Sequence, residues 1–598
     1  MTDLRWLADP RLSPDGTRVA YVSRSLDHDA DLVASRVGVV PVGGGPTVWF
    51  GTGAAPRWSP DGRLLAVSRG ETLWVVDVAT GAERQIARQG GGEVTEAVWS
   101  ADGHLLAVAR AAIVESANGI RVDGLPGFYR RHRRIQVVDL DGRPQWTLPG
   151  DARAPQWSPQ GARLAFLTDR FSGWGDLCVA TGPDQIERVT DGAGPVRGFA
   201  WCPDGARLAY LGHKHGDAGD VNLRLFLTSP AAELTTDWTH GLGNPVRGDD
   251  PRGTGDAPVV WSAASDRIYT EVAVGGRGPL AWFAPASGRS GRVFDGAHTC
   301  LSPSVGGGRI AFVRSDALNP GDVHVADEPT GRSRAVTEAN PSAVRDAAPM
   351  TPVPVEGVDA WLTAHGGGRQ PLLVNVHGGP HGAVGWRHTA EVQRLAARGY
   401  AVLTLNPRGS QGYGEEFATA IRGDWGGADW QDVTAAVDAA AALPGIDPRR
   451  MAIWGVSYGG FMTQWAIAHT DRFACAVSEN GISDFLAAWA SPFCDLPMGG
   501  PPWSSPRFVD RSPLVHADRI RTPLLLVHAE HDHVCPVAQS EQMHAALRLL
   551  GRDVALVRIP GEGHLMNLHG RPSSRARRAA AIDDFLDRHL RPSTQTNA

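Results

Sequence analysis

A ten-residue pattern recurs seven times in the first half of the chain, and nothing else in the sequence restricts its fold as much. Each copy opens with an apolar residue followed by Ser-Pro-Asp-Gly or a variant of it. Each closes on an alternating apolar run. The clear copies run from Leu12 to Tyr21, Trp58 to Val67, Trp99 to Val108, Trp157 to Phe166 and Trp201 to Tyr210. Two looser ones run from Trp261 to Tyr269 and from Leu301 to Phe312. The steps between the repeated Ser or Cys are 46, 41, 58, 44, 60 and 40 residues. Pro-Asp-Gly makes a tight turn, with proline presetting φ and glycine supplying a positive one. A strand ends before it and another begins after it, and further strands fill the interval. Four strands per ~40–60 residues is the signature of a propeller blade. Seven copies predict a seven-bladed β-propeller over residues 1–340; an array of β-sandwiches is the competing architecture. The two long steps hold insertions, Gly127 to Arg134 and Arg247 to Asp256. Arg130 and Arg131, with Arg133 and Arg134, could hold an anion such as a peptide carboxylate, because guanidinium groups bind carboxylates bidentately. A solvated loop is the plainer reading.

A chain of 598 residues is too long for one core. Its 42% hydrophobic and 20% charged residues are those of a globular protein. A net charge of −6 and the lack of a basic tail argue against a nucleic-acid partner. No run approaches the ~18 apolar residues of a membrane span, and the N-terminus has no signal-peptide pattern. Six scattered cysteines without a C-x-x-C pair read as reduced thiols, so a cytoplasmic location is expected. No metal or other cofactor is expected: the cluster His528, His531 and His533 does not match a metal-binding spacing. A homo-oligomer is compatible with the sequence.

From about residue 341 the pattern changes to buried strands alternating with helices, which predicts a C-terminal α/β-hydrolase over residues 341–598. Continuous apolar strands are expected at 371–376, 401–405, 451–456, 522–529 and 554–560. Helices are expected at 390–398, 432–442, 461–469 and 574–590. The key stretch is Gly455-Val-Ser457-Tyr-Gly459, where a strand turns sharply into a helix and small neighbours let the chain pack around an exposed hydroxyl. Asp532 and His564 follow later strands, at the carboxyl ends where ligands bind in such sheets. Ser457, Asp532 and His564 are the candidate catalytic residues, in the chain order this fold uses. Glu530 is the alternative acid, and His528, His531, His533 and His569 are the alternative bases.

With these residues in hand, the chain resembles the prolyl oligopeptidase family of serine peptidases, in its acylaminoacyl-peptidase and dipeptidyl-peptidase-like branch. The motifs are HGGP at 377–380, NPRGSQGYG at 406–414, GDWGGADWQD at 423–432, GVSYGG at 455–460, GGPPW at 499–503 and PGEGH at 560–564. The resemblance implies Ser457 as nucleophile, Asp532 as acid and His564 as base. It implies an oxyanion hole from the N–H of Tyr458, completed by either the N–H of Gly379 or the hydroxyl of Tyr413. It implies a structural ion pair for Arg408, with Asp429 or Asp432. In many such relatives an arginine stands two residues after the aspartate; here that position is Val534, which puts the usual substrate clamp in doubt. No Glu-Glu pair occurs in residues 1–340, which disfavours dipeptide release. Phe485, Trp489 and Phe493 either line an apolar substrate pocket or belong to the core. The expected function is hydrolysis of short peptides through an acyl-enzyme, with the propeller limiting access. The alternatives are an esterase or amidase acting on a small acyl substrate, a carboxypeptidase-like exopeptidase, and a catalytically dead scaffold.

Overall fold

The computed structural model describes residues 4–87, 92–113, 131–216, 218–243, 245–250, 258–328, 331–489 and 500–591. Its first part is a ring of seven four-stranded antiparallel sheets, each made of strands consecutive in the chain. The repeated turns lie between the first two strands of each blade. In the clear copies their glycines, Gly16, Gly62, Gly103, Gly161 and Gly205, take φ between +67° and +78°. The repeated serine and aspartate close the turn: Ser13 Oγ donates to Asp15 at 2.5 Å, and Ser59 and Ser100 do the same to Asp61 and Asp102.

The repeated tryptophans join neighbouring blades. Trp58 Nε1 donates to the carbonyl of Arg11 at 2.8 Å, and Trp99 to that of Arg57 at 2.9 Å. Trp201 reaches Gln156 at 3.1 Å and Trp261 reaches Ala200 at 3.3 Å. In every case the acceptor directly precedes the equivalent position of the blade before. Arginines of the preceding blade stack on three of these rings: Arg18 on Trp58, Arg163 on Trp201 and Arg207 on Trp261. Trp157 departs from the series, its indole N–H being buried without an acceptor. At Leu12 and Leu301 there is no indole to donate. The seam between the seventh and first blades is closed instead by Leu7, Leu12, Tyr21, Leu301, Val313 and Val323. Leu12 N–H also donates to Ser304 at 3.2 Å, and Arg309 to the Gly16 carbonyl at 2.8 Å.

The second part is one eight-stranded sheet. Its strands are β1 (Met350–Val353), β2 (Asp359–Thr363), β3 (Gln370–Val376), β4 (Ala401–Asn406), β5 (Ile446–Val456), β6 (Cys475–Glu479), β7 (Leu524–Ala529) and β8 (Val554–Ile559). The order is β1-β2-β4-β3-β5-β6-β7-β8, parallel from β4 onward. The main helices are α1 (Ala390–Ala397), α2 (Ala428–Ala441), α3 (Tyr458–His469), α4 (Ala538–Leu549) and α5 (Pro572–Leu590). One face of the sheet packs Leu373, Trp454 and Val477 against Val392 of α1 and Ile582 and Phe585 of α5. The other packs Val374, Ile453 and Leu526 against Val433 of α2, Phe461 of α3 and Met543 of α4. Coverage of both faces explains the unbroken apolar runs. Helices α2 and α3 begin earlier than the sequence reading, at Ala428 and Tyr458; in α3, packing overrides the poor propensity of Gly459 and Gly460.

The two parts are joined by polar contacts. Asp249 of the propeller accepts the N–H groups of Ala390 and Glu391, at 2.9 and 2.7 Å, and so caps α1, whose own Thr389 makes no side-chain cap. Asp31 likewise accepts the N–H and hydroxyl of Ser573 in the first turn of α5, both at 2.7 Å. Arg422 pairs with Asp220 through two bonds of 2.6 Å, and Arg387 pairs with Asp250. Within the first part, Asn340 exchanges two hydrogen bonds with the backbone of Arg5 and so ties its two ends together. Among the described residues no helix is long and apolar enough to cross a membrane, and Cys178, Cys202, Cys300, Cys475 and Cys535 are buried.

The indole bonds generate a prediction. Trp99→Phe keeps most of the buried ring and removes the donor to Arg57, so it should lower stability by ~1 kcal/mol. A urea titration of the variant should show a reduced midpoint at an unchanged slope; an unchanged midpoint would deny these bonds a role.

Candidate active site

Ser457 stands between β5 and α3 with φ +62° and ψ −118°, a strained backbone for a residue with a side chain. The turn is feasible because its neighbours are small. A Cβ on Gly455 would fall 2.5 Å from Gly459, one on Gly459 would fall 2.0 Å from the Val376 carbonyl, and one on Gly460 would fall 2.8 Å from the Glu479 carbonyl. Ser457 N–H donates to that same Glu479 carbonyl at 2.8 Å, which ties the turn to the end of β6.

The structure brings Ser457, His564 and Asp532 together. His564 Nε2 lies 3.0 Å from Ser457 Oγ, and His564 Nδ1 lies 2.7 Å from Asp532 Oδ2. Asp532 is buried, and its other oxygen accepts the N–H groups of Val534 and Cys535 at 2.9 and 2.8 Å. Burial alone would raise the pKa of this carboxyl; hydrogen bonding and charge from His528 and His564 outweigh it and hold it at about 2. A carboxylate with a depressed folded-state pKa stabilises the fold fully above its unfolded value, and that contribution is lost as the pH falls through about 2. Asp532 is therefore an anion throughout the neutral range.

Two of the alternative residues, Glu530 and His528, are engaged elsewhere. Glu530 pairs with Arg558 at 3.1 Å. His528 is fully buried, bonded to Ser540 Oγ at 2.6 Å and to the Cys535 carbonyl at 2.8 Å. His531 and His533 are exposed on the turn after β7, and His569 closes the short helix after His564. Among the described residues no group of three or more His, Cys, Asp or Glu is placed to hold a metal.

The loop after β3 lies against the serine: a Cβ on Gly378 would be 3.5 Å from that of Ser457, so the following N–H, that of Gly379, belongs to the same neighbourhood. Tyr413 does not fit the role of a free hydroxyl donor. It is bonded to Asp359 at 2.9 Å and accepts from Asn406 at 2.8 Å, so its single proton is committed to a carboxylate. Phe485 is fully buried between Trp425 and Phe461 and is a core residue, not a pocket wall. Trp489 is half-buried with its ring against exposed Trp503, while Phe493 lies outside the described residues. Val534 is half-buried against the core and contributes its backbone N–H to Asp532. Arg130 lies outside the described residues; Arg131 begins a strand whose register is described, though its side chain is not. Arg408 makes its ion pair with Asp432, at 2.7 Å.

Asn480 and Glu479 were not singled out in the sequence, and Asp429 was named there only as a possible partner of Arg408. Asn480, at the end of β6, donates to the His564 carbonyl at 2.7 Å and accepts from Ala529 N–H at 2.9 Å, so it fixes the loop that carries the imidazole. The Asn480-Gly481 dipeptide closing a buried strand was the available signal. Buried Glu479 beside it is held by Arg578 of α5 and by the indole of Trp454. Asp429, at the start of α2, accepts the hydroxyl of fully buried Tyr458 at 2.7 Å. Burial raises the Asp429 pKa to about 6, against the opposing effect of the Gly426 N–H and the Tyr458 hydroxyl.

A raised folded-state pKa stabilises the fold below the unfolded value near 3.8, and this contribution is lost as the pH rises through about 6. The stability of Asp429→Asn relative to the parent should therefore climb between pH 4 and about 6 and then level off. Melting temperatures across that range provide the check, and a pH-independent difference would contradict the buried titration.

Comparison with known proteins agrees with this layout. Residues 386–593 match the Peptidase_S9 model, the prolyl oligopeptidase family. The uncharacterized peptidase YuxL of Bacillus subtilis is 29% identical over 98% of each chain. Dipeptidyl aminopeptidase BIII of Pseudoxanthomonas mexicana is 36% identical, over 36% of this chain and 33% of its own length. The solved acylaminoacyl peptidase of Pyrococcus horikoshii superposes with a TM-score of 0.86 at 23% identity, covering 99% of this chain and 97% of its own, which is a likeness of fold. Behind a seven-bladed propeller, the α/β-hydrolase domain thus matches the prolyl oligopeptidase family of serine peptidases over residues 386–593.

Proposed function

We propose that the chain hydrolyses short peptides, in the manner of an acylaminoacyl peptidase or oligopeptidase, with Ser457, His564 and Asp532 as its catalytic triad. The observation that carries this reading is the hydrogen-bonded line from Ser457 Oγ through His564 to Asp532, at 3.0 and 2.7 Å. His564 takes the hydroxyl proton as Ser457 Oγ bonds to the scissile carbonyl carbon. It then delivers that proton to the leaving amine as the C–N bond breaks. Asp532, an anion at neutral pH, fixes the imidazole tautomer and stabilises the imidazolium. Water, deprotonated by the same histidine, then cleaves the acyl-enzyme ester.

The N–H groups of Tyr458 and Gly379 are the oxyanion donors in this reading. Tyr458 N–H opens α3, where the helix end favours negative charge, and its ring is anchored by Asp429. Residues 1–340 then act as the cap that limits access, and residues 341–598 as the catalytic domain. The acylaminoacyl peptidase fold likeness supports the substrate class, as does a related solved complex of such a peptidase with Z-Gly-Gly-Phe-chloromethyl ketone. An esterase or amidase is the second reading, favoured by Val534, which places no guanidinium beside the triad.

Two measurements test these assignments. On a panel of acetyl-amino-acid, free-amine, dipeptidyl and simple ester chromogenic substrates, Ser457→Ala should lose at least ~10³-fold in kcat. Turnover of esters alone would move the function to the second reading, and activity surviving in the variant would refute the nucleophile. Tyr413→Phe should leave kcat within about twofold, since an oxyanion donor is worth ~10²–10³ in kcat; a loss of that size would return Tyr413 to the oxyanion hole.

A further inference from the structure

Arg247 belongs to the propeller insertion that also carries Asp249 and Asp250. Its backbone N–H donates to the Ala383 carbonyl at 2.7 Å, and its Nη2 donates to the His381 carbonyl at 3.1 Å. The guanidinium packs against Gly382, where a Cβ would fall 2.6 Å from Nε and 2.7 Å from Cζ. It thus sits on the same loop, Val376 to Ala383, whose Gly378 touches Ser457.

Among the described residues no carboxylate pairs with this arginine. The two acids beside it in the chain turn elsewhere, Asp249 to the N-terminus of α1 and Asp250 to Arg387. Of the charged groups on the facing loops, Asp220 is taken up by Arg422 through two bonds. His377 and His381 are each pushed towards the neutral form, by burial first and by the Arg247 charge in addition. The guanidinium is exposed to water-sized space, yet enough protein surrounds it for desolvation to lower its pKa. A guanidinium carries five N–H donors, and one of them is used here on a carbonyl. A planar fork of donors with no counter-ion among the described residues matches a carboxylate in shape and charge.

We propose that Arg247 forms a binding subsite for a carboxylate of the substrate, supplied across the domain boundary to the edge of the loop beside Ser457. This rests on the reading of Ser457 as the attacking group. The ligand class is a short peptide with a free C-terminal carboxylate, and the residue sets specificity without taking part in bond breaking. It is distinct from Arg133 and Arg134 of the first insertion, which lie in another blade.

The test is binding, read by calorimetry on the full chain carrying Ser457→Ala so that no turnover intervenes. The probes are an N-acetylated tripeptide with a free C-terminal carboxylate and the same tripeptide as its C-terminal amide. The acid should bind about tenfold more tightly than the amide, and Arg247→Gln added to Ser457→Ala should abolish that difference. Arg247→Lys, which keeps the charge and loses the fork, should retain part of it; this holds the test open if the Gln variant fails to fold. Equal binding of acid and amide, no measurable binding of either, or a preference that survives Arg247→Gln would overturn the proposal. Failure of the serine reading would show separately, as wild-type protein that a fluorophosphonate does not label at Ser457.

Discussion

The buried carboxylate of Glu479 holds the active region in register. It ends β6, with its backbone carbonyl accepting the N–H of Ser457 and its side chain clasped by Arg578 of the last helix. Arg578 also reaches Glu391 in the first turn of α1, Glu391 pairs with Arg394, and Arg394 with Asp583 of α5. One chain of charge therefore links the strand under the serine to the helices on one face of the sheet. Removing one partner of such a pair strands the other in the interior, at a cost of ~3–5 kcal/mol. Asn480, next along the backbone, extends the same anchor to the His564 loop. Two of the three residues in the hydrogen-bonded line are thus fixed by consecutive residues of one strand end. A hydrogen bond of 3.0 Å between separate loops needs this support, since misplacement of a reacting group by 1 Å can cost ~10²-fold in rate.

Much of this was legible in the sequence, because periodicity and motif report what a residue does to its own neighbourhood. The Pro-Asp-Gly turns fixed the blade count, since each turn has one steric solution and recurs at blade spacing. Ser457 was legible because an exposed side chain on a strained strand-helix turn demands glycine on both sides. What escaped were partnerships between residues far apart along the chain. Asn480 bonds 84 residues away, Asp429 bonds 29 away and Arg578 bonds 99 away. An asparagine or arginine in isolation carries no sign of such a partner. Tyr413 shows the converse: its hydroxyl looks available in sequence, and only the fold reveals Asp359 beside it. Phe485 follows a buried strand as a pocket residue might, yet the ring turns inward to Trp425 and Phe461.

The repeated tryptophan does more than fill space. It places a donor against the carbonyl that precedes its own counterpart, so each blade is indexed to the last by a specific atom pair. Apolar contact alone would tolerate sliding of one sheet over the next; a directed hydrogen bond does not. At the seam between last and first blades the indole is replaced by leucine, and shape, Ser304 and Arg309 close the ring.

The capping of hydrolase helices by propeller acids has a consequence for how the protein is made. Asp31 and Asp249 supply acceptors that α5 and α1 do not find in their own flanking residues. The ribosome delivers both acids before either helix exists, and domains generally fold as they emerge. The finished propeller is then a template waiting with its acceptors in place when Ala390 and, nearly two hundred residues later, Ser573 leave the exit tunnel. Reversing the order of the two domains in an engineered gene would present the helices first, with their N–H groups open and Arg387 and Arg422 without counter-ions. The order in which the chain is written thus serves as its own assembly instruction.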